Sequence, residues 1–168
     1  MKKLGLAIAA LAVVVMLAWS FRPSADAAGD DKQAITDLEH QLVAATTAAE
    51  ALKYYDPTDE VAVFDMAGPP REYVGQKAVK GDFEKAFAGL KNIKVEFVEL
   101  DVTTDGKLGF ARSVQRFTAT GPDGKPVDVT FRQTDCLHKV DGNWKILHQH
   151  ISVPVDMASG KADMASKM

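Results

Sequence analysis

An α+β domain, with helices packed into a curled and mostly antiparallel sheet, is the fold class this sequence predicts. Three observations predict it. Apolar residues recur at three- and four-residue spacing twice in the first half, at Leu38, Leu42, Ala45, Ala49 and Leu52 and again at Val79, Phe83, Phe87 and Leu90, which marks two amphipathic helices. From Lys91 onward the pattern changes to the alternation of strands. The strands are separated by Asp105-Gly106, Gly121-Pro122-Asp123-Gly124 and Asp141-Gly142, turn residues that join neighbours in an antiparallel meander. Helices grouped before a meander must bury their apolar stripes against one face of it, so the sheet curls over two or three N-terminal helices.

Taken in order, the first helix is expected to start at an Asp30 or Asp31 cap and to stop at Asp56-Pro57, because proline disfavours helix in the residue before it. Val61 to Met66 reads as a short strand, Gly68-Pro69-Pro70 as an irregular loop, and Arg71 to Val74 as a second short strand ending at Gly75. The second helix follows, with Gly89 near its end. Strands are then expected over Val95–Val102, Leu108–Ala119, Val127–Lys139 and Trp144–Val155, giving about six in all. On the last strand, alternation puts Trp144, Ile146, His148, His150 and Ser152 on one face. Helices over the mouth of a curled sheet leave a cone-shaped pocket.

Residues 1–27 read as a secretory leader. Lys2 and Lys3 precede an apolar run, and Ala25-Asp26-Ala27 supplies a small-x-small cleavage site. The alternative is a retained anchor, since the run through Phe21 just suffices to span a bilayer. Cleavage would place the protein in a bacterial periplasm or outside the cell, with no membrane association afterwards. Residues 28–156 form one domain, and residues 157–168, rich in Ala and Met, read as a frayed or weakly helical, flexible tail. The net charge of -3 lacks the basic footprint of a nucleic-acid binder. The single cysteine, Cys136, excludes an intramolecular disulfide and reads as a buried, inert thiol.

The order of helix, two short strands, helix and long meander resembles the cystatin-like cone of the nuclear-transport-factor-2-like superfamily, and most nearly its SnoaL-like and ketosteroid-isomerase-like branch. The residues carrying the resemblance are Tyr54-Tyr55-Asp56-Pro57, Val63-Phe64-Asp65, Tyr73-Val74-Gly75, the helix around Asp82-Phe83, Arg132-x-Thr134-Asp135, and Gly142 to Ser152. They span about residues 33 to 156. The resemblance implies either proton-transfer chemistry of isomerase, cyclase or dehydratase type on an apolar carbonyl compound, or a non-catalytic ligand-binding or self-association module. In the isomerases of this branch a pocket carboxylate moves a proton beside a carbonyl, while a Tyr and a protonated Asp stabilise the oxyanion.

Asp65, Asp135 and His148 are the catalytic candidates. Asp65 is either a general base in an apolar wall or a carboxylate capping the loop before Gly68. Asp135 and Arg132 have opposite strand parity, so one of them faces the pocket. Phe131 and Leu137 favour the Asp135 side. His148 is an acid–base group or a structural donor to a neighbouring strand. Tyr55, Tyr73, Arg132 and His150 are the ligand-binding candidates, with Arg132 suited to an anion and Tyr73 equally readable as a core aromatic. The His148–His150 pair lacks a third ligand, so no metal and no cofactor is expected. The partners expected are a small molecule and a second copy of the chain. The dimer would pack through an outer sheet face carrying Leu147, Ile151, Val153, Val98, Leu100 and Val102.

Overall fold

A computed structural model describes residues 25–66 and 72–164. The leader's apolar run and the Gly68-Pro69-Pro70 loop lie outside them. Helices α1 (Ala25–Val43), α2 (Ala48–Ala51) and α3 (Gln76–Gly89) accompany strands β1 (Ala62–Phe64), β2 (Tyr73–Val74), β3 (Lys91–Thr104), β4 (Leu108–Thr120), β5 (Pro126–Val140) and β6 (Asn143–Ser152). The six strands form one sheet in the order β2-β1-β6-β5-β4-β3. Every pairing is antiparallel except β1 with β6. This is the α+β cone. Among the described residues no helix is long and apolar enough to cross a membrane.

The helices depart from their expected bounds. Helix α1 begins at Ala25, so Asp30 and Asp31 lie within it, and it runs back through the expected cleavage site. It stops at Val43, where a single helix to residue 55 was expected. Thr47 adopts an extended backbone and accepts a hydrogen bond from the Glu50 amide, capping α2. The Glu50 carboxylate takes the Thr46 amide in return, at 2.8 Å. Two consecutive β-branched residues thus restart the helix in a new direction, and a 3-10 turn, Leu52–Tyr54, delivers Tyr55 to the sheet. There Tyr55 bridges in parallel to Ile146.

The meander turns follow the sequence closely. Asp141 and Gly142 both have positive φ, 50° and 79°, the geometry of the tight hairpin whose twist matches its strands. The tail differs from the expected frayed or helical end. Val155–Asp156 (β7) and Lys161–Ala162 (β8) pair as a small hairpin, and the Thr130 amide donates to the Met164 carbonyl at 3.3 Å. Because β6 ends opposite Arg132, the start of β5 would otherwise present an open edge there, and the tail covers part of it.

The core gathers Ile35, Leu38, Val61, Val63, Val79, Val102, Leu137, Trp144 and Ile146. Asp31 in α1 accepts from the Trp144 indole at 3.0 Å and from Lys139 at 2.7 Å, fastening the helix to the β5–β6 hairpin. Gly109 is where α1 approaches β4 most tightly: a Cβ added there would meet Ile35 Cδ1 at 2.5 Å and Leu137 and Trp144 at 3.3 Å. Ile35 is fully buried, so its side chain must shift within the core to make room. Gly109→Ala should therefore lower stability by about 1–3 kcal/mol, the usual cost of overpacking. The denaturant midpoint measures it, and a midpoint equal to the parent's would mean that α1 tilts freely.

Candidate active site

One inner row crosses all six strands in register: Tyr73, Val63, Gln149, Asp135, Ala111 and Val102. Polar residues on a face that is otherwise core need partners, and the helices supply them. Helix α1 carries Glu39, α3 carries Asp82, and the segment after the 3-10 turn carries Tyr55. Glu39 is 0% exposed, Asp135 1%, Tyr55 2% and Gln149 3%.

Asp135 is the centre of the arrangement. Its Oδ2 accepts from Gln133 Nε2 at 2.6 Å, and Gln149, its register partner, also hydrogen-bonds to it. Facing it is Glu39. Both Glu39 carboxyl oxygens and Asp135 Oδ1 are buried without a donor, an arrangement that holds only if a proton lies between the two acids. Burial drives the Glu39 carboxyl well above the usual carboxylate range, and the charge and hydrogen bond of Asp135 push the same way. Burial also pushes Asp135 up, to about 6, against the hydrogen bonds from Gln133, Gln149 and Glu39. Tyr55 meets the Gln149 amide. Its hydroxyl is held well above its ordinary pKa by burial and then by the charges of Asp135, Glu39 and Asp65. The Tyr55 ring also packs edge-on against Phe83 of α3, 5.1 Å between centroids.

A second acidic pair lies beyond Tyr55. Tyr73 is pushed up to about 12, chiefly by its hydrogen bond to Asp82 and then by burial. Asp82 is raised by burial, and Asp65, which hydrogen-bonds to it, raises it further. The inner wall thus presents two carboxyl pairs, each accompanied by a tyrosine.

A cleft of about 470 Å³ lies between the end of α1 (Val43), the end of α3 (Phe87) and the start of β3 (Ile93, Lys94, Val95). From Val95 the register pair Phe97–Gln115 leads along the inner face to Ser113, which accepts from Gln115 at 2.8 Å. Ser113 pairs with Gln133, beside Asp135.

The model of the SnoaL-like domain matches residues 33–156. The chain belongs to the SnoaL-like domain family. Solved structures agree on the fold. An NTF2-like protein of unknown function from Pseudomonas putida KT2440 superposes with a TM-score of 0.73 at 22% identity, covering 83% of this chain and 98% of its own. An NTF2-like superfamily protein from Salmonella enterica serovar Typhimurium gives 0.66 at 15% identity, over 84% and 100%. A ketosteroid isomerase-like protein from Erwinia carotovora atroseptica gives 0.61 at 19% identity, over 73% and 95%. No curated protein matches the chain.

Within this SnoaL-like cone, Asp135, Asp65, Tyr55 and Tyr73 face the interior network. His148, His150 and Arg132 do not. Strand β6 contains a bulge: Cys136 pairs with His148 and Leu137 with Ile146, so Leu147 is an extra residue. Trp144 and Ile146 point inward, and after the bulge the inward residue is Gln149. The expectation that Trp144, Ile146, His148 and His150 share one face is thereby corrected. Both histidines lie on the outer face, opposite Cys136 and Thr134. His148 donates from Nδ1 to the Ala62 carbonyl at 3.0 Å, and Phe64 packs edge-on against both rings, at 4.8 and 5.6 Å. Arg132 is exposed on the same side of β5. Cys136, expected to be buried, is half-buried there. Among the described residues no group of three His, Cys, Asp or Glu side chains is placed to hold a metal ion.

Glu39, Gln133, Gln149 and Asp82 are the interior residues that reading the sequence missed. Glu39 had a signal: it lies four residues after Ile35 and three before Leu42, on the helical stripe that turns inward. Gln149 had none, because its direction depends on the bulge.

Asp56 forms a separate contact. Burial pushes its carboxyl up, but hydrogen bonds from Thr58 and His138 outweigh this and hold it below the usual carboxylate range. His138 Nε2 lies 2.6 Å from Asp56 Oδ2, which fixes the Tyr55–Thr58 segment against β5. His148→Ala should cost only about 1 kcal/mol, the worth of one hydrogen bond, measured as a denaturant midpoint shift. A loss several times larger would give His148 a core role that its outer position denies.

Proposed function

We propose that this chain is an exported pocket protein that moves a proton on a small, largely apolar carbonyl compound, as isomerases, cyclases and dehydratases do. The observation that carries the reading is the Glu39–Asp135 pair, two buried carboxyls on one shared proton beside the Tyr55 hydroxyl. Two acids whose surroundings separate their pKa values can divide the roles of base and acid. Near neutral pH Asp135 is the ionised partner and Glu39 the protonated one. Asp135 takes the proton from the carbon next to the carbonyl, and the C–H electron pair passes into the enolate. Tyr55 and protonated Glu39 donate hydrogen bonds to the developing oxyanion. Return of the proton to another carbon completes an isomerisation.

The test is hydrogen–deuterium exchange at the carbon next to the carbonyl, followed by NMR over a panel of cyclic ketones in deuterated buffer. Exchange above the buffer rate for at least one ketone is expected. Background rates throughout would leave the second reading, a non-catalytic ligand-binding module. That reading draws support from the near-complete burial of Glu39, Asp135 and Tyr55. Export rests on the Lys-Lys, apolar run and Ala-Asp-Ala pattern of the first 27 residues.

A homodimer through the outer sheet face belongs to the same proposal, with altered contacts. Leu100 and Val102 point inward after a β3 bulge between Phe97 and Glu99, and Ile151 pairs with inward Gln133. Val98 stays on the outer surface as expected, joined by Phe64, Leu108 and Phe110, the four being 36–63% exposed. Light scattering at tens of micromolar should give twice the monomer mass, and Phe110→Lys should halve it. A monomeric parent removes this part of the proposal.

A further inference from the structure

We propose that the Glu39–Asp135 pair is also a binding site for a primary ammonium group, which replaces the shared proton when an amine-bearing ligand enters the cone. The proposal goes beyond proton transfer on carbonyls and stands on a different count. Three buried oxygens, Glu39 Oε1, Glu39 Oε2 and Asp135 Oδ1, have no donor. A single shared proton serves one O–H···O contact and leaves an acceptor unfilled, whereas a primary ammonium brings three N–H donors. Both side chains are essentially inaccessible to water, at 0% and 1% exposure, so bulk solvent does not supply the missing donors.

The surroundings favour a cation over an anion. No ion pair among the described residues involves Glu39 or Asp135. The other titratable groups acting on the region are Tyr55, from the segment after the 3-10 turn, Asp65 from the end of β1, and Asp82 and Tyr73 beyond it, with Lys85 of α3 acting on Asp82. The neighbouring strands contribute uncharged side chains: Ser113 and Gln115 from β4, Gln133 from β5 and Gln149 from β6. At the pair itself a carboxylate or phosphate would meet two acids at low dielectric, where like charges repel strongly; Lys94 lines the cleft and Lys85 acts on Asp82, but neither pairs with Glu39 or Asp135. An ammonium there would be attracted by either acid once ionised. Gln115, Ser113 and Gln133, all buried, form the polar row of the sheet that lies between Val95 and the pair.

The experiment uses the full chain and three probes of similar shape: benzylammonium, benzyl alcohol and benzoate. Affinity is read by calorimetry from pH 5 to 7, in buffers of different ionisation heat so that proton release is counted. Benzylammonium is expected to bind at least tenfold more tightly than benzyl alcohol, with benzoate not binding. Its affinity should rise with pH, with release of about one proton near pH 7 and more toward pH 5, where Asp135 is protonated as well, because ligand and protons compete for the same oxygens. The Glu39→Gln/Asp135→Asn double variant should remove both the preference and the pH dependence. Equal binding of benzylammonium and benzyl alcohol, absence of proton release, or no binding of the amine would overturn the proposal. The ketone exchange assay reads a different ligand class, so either result can fail while the other stands.

Discussion

Asp135→Asn is expected to lower ketone hydrogen exchange by about 10²- to 10⁴-fold, the usual contribution of a positioned base, while the fold survives. An amide matches the carboxylate in shape, and its oxygen can still accept from Gln133, which lies 2.6 Å from Asp135 Oδ2 in the parent. What it cannot do is accept a proton. Glu39→Gln should behave differently. It retains a donor toward Asp135, so exchange falls less. The acidic limb of its pH profile should also move, because the hydrogen bond from Glu39 helps hold Asp135 down. Rates compared with denaturant midpoints separate the roles. A Asp135→Asn protein that exchanges at the parent rate would remove Asp135 as the base. Loss of activity in step with loss of folded protein would make the pair structural.

The parent should lose stability as pH rises from 4 to 8, opposite to a protein held together by ionised carboxylates. Glu39 and Asp135 both have folded-state pKa values above their ordinary ones. A group raised in this way contributes stability that is fully present below its unfolded pKa and is lost as pH climbs through its folded pKa. For Asp135 that window runs from its ordinary 3.8 to about 6. For Glu39 it starts at 4.5 and extends well above it. Each retained proton gives a slope of about 1.4 kcal/mol per pH unit within its window. Asp56 pulls the other way, since its lowered pKa makes its contribution appear as pH rises from acid and vanish as pH falls through its folded value. That contribution is complete before neutral pH, leaving the fall above pH 6 to Glu39. Glu39→Gln removes that titration. The variant should equal the parent near pH 4 and exceed it by an amount that grows as pH rises above 4.5. Chemical denaturation at half-unit pH intervals measures both curves. Parallel curves would mean that Glu39 is not held protonated in the folded state.

The two effects oppose each other, and that opposition is itself informative. Burying two acids face to face costs stability near neutral pH, and a hydrophobic pair of the same size would avoid the cost. Retaining the acids makes sense if ligand chemistry uses them. The Asp65–Asp82 pair beside Tyr73 repeats the arrangement at lower burial, and the two pairs flank Tyr55.

Local chemistry suffices for much of this molecule. Period and turn residues determine the α+β class, the meander and the tight Asp141–Gly142 turn, because each depends on neighbours a few positions apart. Strand parity made Asp135 and Arg132 alternatives on β5, with Phe131 and Leu137 favouring Asp135, and the fold decided for Asp135 on a strand whose side chains alternate regularly through Leu137. Parity failed on β6 and β3 for one physical reason. An extra residue at Leu147, and another between Phe97 and Glu99, reverses every side chain beyond it, and the bulge is set by pairing with a distant strand. That reversal sends His148 and His150 outward and turns Gln149 and Leu100 inward. The break at Val43–Thr47 likewise depends on where α2 must go to bring Tyr55 alongside Ile146. Above all, Glu39 and Asp135 are far apart in the chain, and nothing near either announces the other. Only the docking of α1 onto the third and fourth strands sets the two acids face to face, and that long-range packing makes a site from residues that are separately unremarked.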